Sequence, residues 1–342
     1  VAWTDVIQVI FLVAGGLITT YLALNEVSHG GGFFKGLEML YQKAPEKFDM
    51  ILSQDNPFYK DLPGLSVIIG GLWIANIGYW GCNQYIIQRA FAAKNIREAQ
   101  KGLAFAGYLK LIIPLVVVLP GIAAFVLQAD IQRYDEAYPW LLAELVPTGV
   151  RGLAFAALIA AALSSLSSMM NSTATIFTMD LYQQFIKKDA SEKQLVRVGR
   201  IIGFSAMAIA IIVAQPLLGG EEQVFQFIQK YTGYVSPGIV VLFIFGLFWK
   251  KASSKAAFSI ALASVPMSIL IDLSFPKMPF LDQMGMVFIL LSILMFIVSR
   301  IFPDDNSKAI ELDKNSFETT PLFNVLSMGI MLALAVLYAV FW

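Results

Sequence analysis

Nine times along this chain the sequence runs apolar for close to the ~20 residues that an α-helix needs to cross a bilayer. The runs cover 6–24, 65–84, 103–127, 152–177, 201–218, 224–249, 256–273, 284–301 and 322–342. No other feature constrains the fold as much. In hydrocarbon every backbone N–H and C=O must find a partner inside the protein, so repeated runs of this length predict an all-α polytopic membrane protein. Composition agrees, with 58% hydrophobic and 14% charged residues in 342. Net charge is zero, which suggests no nucleic-acid partner. One cysteine, Cys82, excludes an internal disulfide, and one histidine, His29, excludes a histidine metal cluster. With no nucleophile–base pair in view either, the chain does not read as an enzyme.

The run at 65–84 departs from a simple anchor. It carries Gly70, Gly71, Gly78 and Gly81 together with Asn76, Tyr79, Asn83 and Gln84. Glycine weakens a helix, and side-chain amides are costly in lipid. Two readings stand: a broken helix that lines a solute cavity, or a span packed through small residues with its amides bonded to neighbours. Prolines 114 and 120 predict kinks in the third run, and Gly233 with Pro237 an interruption of the sixth. The segment between the first two runs, with His29-Gly-Gly-Gly, reads as a surface cap.

Lysine and arginine set orientation. They crowd into alternate loops, such as Lys187, Lys188, Lys193, Arg197 and Arg200, then Lys250, Lys251 and Lys255, then Arg300, Lys308 and Lys314. The other loops are poorer in cations and carry acids such as Asp135, Glu136, Glu221 and Glu222. The first residue is therefore expected on the cytoplasmic side of the plasma membrane and Trp342 outside.

Several polar groups inside the runs have chemical readings. Ala161, Ser164, Ser165 and Ser168 share a helix side by their spacing. Neutral hydroxyls and freed carbonyls suit a sodium ion, but serines in membrane helices also serve close packing. Lys110 lies seven residues into the third run, either snorkelling to the interface or donating to a solute's hydroxyls. Phe225 and Gln229, four apart, present an aromatic and an amide on one face of the sixth run, and Lys230 and Tyr231 read as an interfacial turn. Asp5 is either an ordinary interfacial acid or a cation attractor.

Three stretches carry a resemblance. They are 71–94, opening Gly-Leu-Trp-Ile-Ala-Asn; 171–180, Asn-Ser-Thr-Ala-Thr-Ile-Phe-Thr-Met-Asp; and 231–250, opening Tyr-Thr-Gly-Tyr-Val-Ser-Pro-Gly. With them the sequence resembles the solute–sodium symporter family, in its sodium/sugar branch, over essentially its whole length. The resemblance implies a fold of two inverted five-helix repeats with flanking helices. It implies that the chain begins late in that fold: the last helix of the first repeat in 1–26, an extracellular loop in 27–63, the second repeat in 64–250 and three flanking helices in 251–342. A first residue of Val rather than Met accords with that expectation.

The resemblance also implies roles. Asn76, Lys110 and Gln229 would bond a sugar's hydroxyls, and Tyr79 would stack on the sugar and close its inner path. Phe225 would belong to the outer gate. The Ala161 carbonyl with the Ser164 and Ser165 hydroxyls would hold Na+, and Asp5 would stand on the sodium exit. The activity implied is sodium-coupled symport of a neutral hexose, galactose or glucose, by alternating access. Two alternatives stand beside it: the same fold carrying proline, pantothenate or another organic anion, and a sodium-dependent sugar sensor that does not transport.

Overall fold

The first apolar run folds as the helix α1 (Ala2–Val27), in a computed structural model that describes residues 2–60, 64–218, 224–305, 309–313 and 317–342. Glu221, Glu222, Lys308 and Lys314 of the expected loops lie outside the described residues. Every regular element among the described residues is helical. Eight helices among the described residues are long and apolar enough to span a bilayer. The expected second span is not among them, because it is divided into the short helices α3 (Leu65–Ile69) and α4 (Gly71–Gly81). At ~1.5 Å per residue, α4 covers about 16 Å, roughly half the hydrocarbon thickness. Two short helices flank the first loop and the break: α2 (Gly32–Lys43) and α5 (Gln84–Phe91).

The chain divides into two units, one of Val1–Phe48 with Tyr108–Val224, the other of Asp49–Gly107 with Phe225–Trp342. The division falls inside α6 (Ile96–Ile113).

In the first unit α1 packs on α2, on α7 (Leu119–Val126), on α8 (Ala137–Leu145) and on α9 (Thr148–Thr175). Leu24, Val27, Leu40, Ile122 and Leu141 form the centre of that core. The α1–α2 connection is built by its glycines. His29, Gly30 and Gly32 take positive φ, and Gly36 passes so close to α1 that a Cβ there would lie 2.2 Å from the Leu24 carbonyl oxygen. The prolines of the third span do not break it: Pro114 opens a widened turn and Pro120 sits in the first turn of α7. From Pro114 to Val118 the helix widens to a π turn, and the Leu115 carbonyl accepts a 2.7 Å bond from the Thr20 hydroxyl of α1. Proline lacks the N–H that would continue the ladder, and a facing hydroxyl takes up a carbonyl the widened turn presents. A second π stretch, Ile176–Ile186, extends α9, and α10 (Glu192–Leu218) packs on both.

In the second unit α11 (Val224–Phe248), α12 (Ser254–Ser274) and α13 (Phe280–Ile301) enclose Val241, Ile260, Val287 and Leu291. The expected interruption of the sixth span does not occur: α11 runs unbroken through Pro237. Hydroxyls bond the carbonyls on either side of Gly233, whose own carbonyl loses its N–H partner to Pro237. Ser236 donates to the Thr232 carbonyl at 2.9 Å, and Ser268 of α12 donates to the Tyr234 carbonyl at 2.9 Å. The helix α14 (Pro321–Val340) begins at a Thr320 cap and keeps no side chain buried, as suits a lipid-facing helix. It meets α6 at Gly107, where a Cβ would lie 2.6 Å from Ile330 Cδ1.

Candidate functional site

The break between α3 and α4 has a packing cause. Gly70 leaves the helical region with φ −103° and ψ −106°. At Gly71 a Cβ would fall 1.7 Å from the Leu281 carbonyl oxygen of α13, a space that only glycine fits. The backbones approach where Gly70 and Gly71 face Gly285. Ser66 of α3 donates to Asp282 Oδ2 at 2.9 Å, tying the segment before the break to the same helix. Close packing through small residues therefore accounts for Gly70 and Gly71. Gly78 plays a similar part against α11, where a Cβ would meet Val240 at 3.3 Å and Ser236 at 3.6 Å.

The polar residues of α4 are not consumed by this packing. Asn76 and Tyr79, three apart on α4, are both exposed. The Asn76 amide nitrogen donates to the Leu72 carbonyl at 2.9 Å, one turn back in its own helix. The Tyr79 hydroxyl accepts a 3.2 Å bond from the Tyr85 hydroxyl of α5, with the rings edge to face at 6.2 Å. Burial, and then that bond to Tyr79, pushes the Tyr85 phenol above its usual range, so it remains a donor. Tyr85 was not singled out from the sequence. An aromatic six residues after another carries no periodic signal, and only the bend at Cys82 and Asn83 turns it back.

On α11, Phe225 and Gln229 are both exposed and occupy the first turns of the helix. The neighbouring Lys230 is not the plain interfacial cation expected. Its ammonium lies 2.8 Å from Asp272 Oδ2 on α12, and the Tyr234 hydroxyl donates to the same oxygen at 2.7 Å. An acid inside the seventh apolar run was the available signal for that pairing. Lys110 is exposed on α6 and belongs to the other unit.

Also in that first unit, α9 carries three more expected residues, one of which bonds a residue of α1. Ala161 and Ser164 are half-buried, and Ser165 is exposed one turn from Ala161. Ser164 donates its hydroxyl proton to Asp5 Oδ1. The two helices meet closely, since a Cβ on Gly15 of α1 would touch Ala154 Cβ of α9 at 3.3 Å. A hydroxyl that gives its proton to a carboxylate keeps its oxygen lone pairs available, which is the donor chemistry a hard monovalent cation takes.

The family model "Sodium:solute symporter family" matches residues 1–263. The sodium/glucose cotransporter of Vibrio parahaemolyticus is 49% identical over 361 residues, covering 100% of this chain and 66% of that protein. The mouse sodium/myo-inositol cotransporter 2 is 35% identical over 291 residues, covering 76% of this chain and 42% of that one. The chain thus spans about two thirds or less of the length of these relatives. Among solved structures, the substrate-bound outward-open state of a Na+-coupled sialic acid symporter superposes with TM-score 0.68. It covers 89% of this chain and 63% of the other at 22% identity, and shows that the fold is shared. The protein is a multi-pass membrane protein, and it belongs to the sodium:solute symporter family.

Proposed function

We propose that the chain forms the larger part of a sodium-coupled symporter for a neutral hexose, galactose or glucose. The observation that supports the reading is the bond from Ser164 to Asp5, which joins one of the proposed sodium ligands to an acid. Ala161 supplies a carbonyl oxygen and Ser164 and Ser165 supply hydroxyls to Na+, which is cargo as well as coupling ion. Asp5, hydrogen-bonded to one of those hydroxyls, draws the departing ion toward the cytoplasm.

The sugar contacts of the second unit are Asn76 and Gln229, each a donor to ring hydroxyls, and Tyr79 offers a face for the apolar side of the ring; Lys110 is assigned as a further donor on the family resemblance alone. Asn76 Oδ1 is also an acceptor while its nitrogen bonds Leu72. Phe225 closes the site from outside, and Tyr79, held by Tyr85, closes it from inside. The identity to a sodium/glucose cotransporter supports the substrate class. The first residue is assigned to the cytoplasmic side of the plasma membrane and Trp342 to the outside, and 64–250 to one inverted repeat followed by flanking helices in 251–342.

The coupling is thermodynamic. One charge crossing ~100 mV contributes about 2.3 kcal/mol. A tenfold sodium gradient adds about 1.4 kcal/mol, and together they sustain a sugar gradient of roughly several hundredfold at one sodium per sugar. The test is uptake of radiolabelled galactose by the full-length protein in proteoliposomes, with and without an inward sodium gradient. Sodium-dependent accumulation is expected. Binding of galactose without accumulation would favour a sensor, and uptake of proline or an organic anion instead would replace the substrate class.

A further inference from the structure

The pairing of Lys230 with Asp272 is unusual in its setting. Both lie within apolar helices, α11 and α12, where unpaired charges are expensive. Asp272 is mostly covered, with a side-chain exposure of 19%, and Lys230 has 35%. One carboxylate oxygen takes both the ammonium, at 2.8 Å, and the Tyr234 phenol, at 2.7 Å. Lys230 and Tyr234 are four apart, so they share the α11 face turned to α12. Nearby, Ser268 bonds the Tyr234 carbonyl, and Gln283 of α13 donates to the Phe275 and Met278 carbonyls in the α12–α13 turn. The cavity bordered by Lys230, Tyr234, Ser268 and Gln283 has a volume of about 10 Å³. That is room for about one water, far too little for a solute. The cluster is thus a joint between helices rather than a binding site.

Its position gives the joint a consequence. Gln229 immediately precedes Lys230, and Phe225 lies one turn before Gln229. A helix turns ~100° per residue, so fixing the azimuth of Lys230 fixes that of Gln229 and Phe225. The stretch needs such a fixture. Pro237 omits a rung of the ladder just beyond, and at Gly233 a Cβ would touch Met284 Sδ at 3.0 Å, so smooth backbone lies there instead of an interlocking side chain. We infer that Lys230 and Tyr234, clamped to Asp272, are positioning residues that set the rotation of the first turns of α11 and thereby aim Gln229 at the substrate. The inference rests on the sugar reading for Gln229; the clamp itself does not.

The test uses the full-length protein in proteoliposomes, with Lys230→Met, Asp272→Asn and the charge-swapped pair Lys230→Asp with Asp272→Lys. In a Cys82→Ser background, Gln229→Cys and Ile228→Cys report the azimuth of α11 through their relative rates of labelling by a water-soluble thiol reagent. Lys230→Met is expected to change that ratio about threefold or more, and the swapped pair to restore it. With Gln229 intact, the galactose half-saturation of Lys230→Met should rise about tenfold while the maximal rate per inserted molecule changes far less, as expected for misplaced contacts. A purely structural role would reduce the inserted amount and leave both the ratio and the half-saturation unchanged, which overturns the inference. Should Lys230→Met fail to insert, the swapped pair decides: a native labelling ratio supports the clamp, and an altered one overturns it. The labelling needs no sugar, so a wild-type protein that takes up no galactose would count against the substrate and not against the clamp.

Discussion

Ser164, in the middle of α9, donates its hydroxyl proton to Asp5, in the first turns of α1. The bond joins two residues 159 positions apart, and it links the proposed sodium ligands to the proposed sodium exit. Ser165 has no such tie to Asp5 and is exposed, so the adjacent serines have different environments.

That difference makes the serines separable. Ser165→Ala should raise the sodium concentration for half-maximal uptake by about tenfold, the effect of losing one oxygen ligand at roughly 1.4 kcal/mol. Ser164→Ala should do the same and also remove the bond that couples it to Asp5, so Asp5→Asn added to Ser164→Ala should cost less than it does alone. Sodium titrations of galactose uptake measure all four. An unchanged half-saturation in Ser165→Ala would return that serine to helix packing.

Lys110→Ala should abolish galactose uptake. A lysine in an apolar helix that only snorkels would be replaced with little effect on the sugar. Retained uptake with unchanged galactose half-saturation would remove Lys110 from the site.

Tyr85→Phe deletes the hydroxyl that bonds Tyr79 but keeps the edge-to-face ring contact. The loss is one hydrogen bond, about 1 kcal/mol. If Tyr79 closes the inner path, efflux of preloaded galactose should quicken by roughly fivefold, read by isotope release under zero membrane potential. Unaltered efflux would separate Tyr85 from the gate.

Gly71→Ala should damage the fold. Its Cβ would lie 1.7 Å from a backbone oxygen of α13, and neither main chain can yield without moving its helix. A cost of about 3 kcal/mol or more is expected, at the upper end of overpacking. Gly81 has nothing within 4 Å of its Cβ, and Gly81→Ala should be tolerated. Thermal unfolding of the detergent-solubilised protein distinguishes them. Equal melting temperatures would contradict the packing account of the break.

The sequence determined that the chain is a bundle of membrane helices, because runs of ~20 apolar residues have few other solutions in lipid. It also marked the run at 65–84 as one that a break or close packing must explain, and it marked Asn76, Tyr79, Ser164 and Gln229 as polar groups within apolar runs. Tertiary structure decided what those signals mean locally. Gly71 is glycine because of a carbonyl on α13, 210 residues away in sequence. At Pro114 the helix takes a π turn in which Thr20 of α1 bonds the Leu115 carbonyl, whereas α11 runs unbroken through Pro237, with hydroxyls of α11 and α12 on the Thr232 and Tyr234 carbonyls beside it. The partners of Tyr79, Lys230 and Ser164 were likewise illegible. Helical periodicity reports which residues share a face of one helix. It says nothing of which face of another helix meets it, and that choice rests on close packing summed over many small contacts.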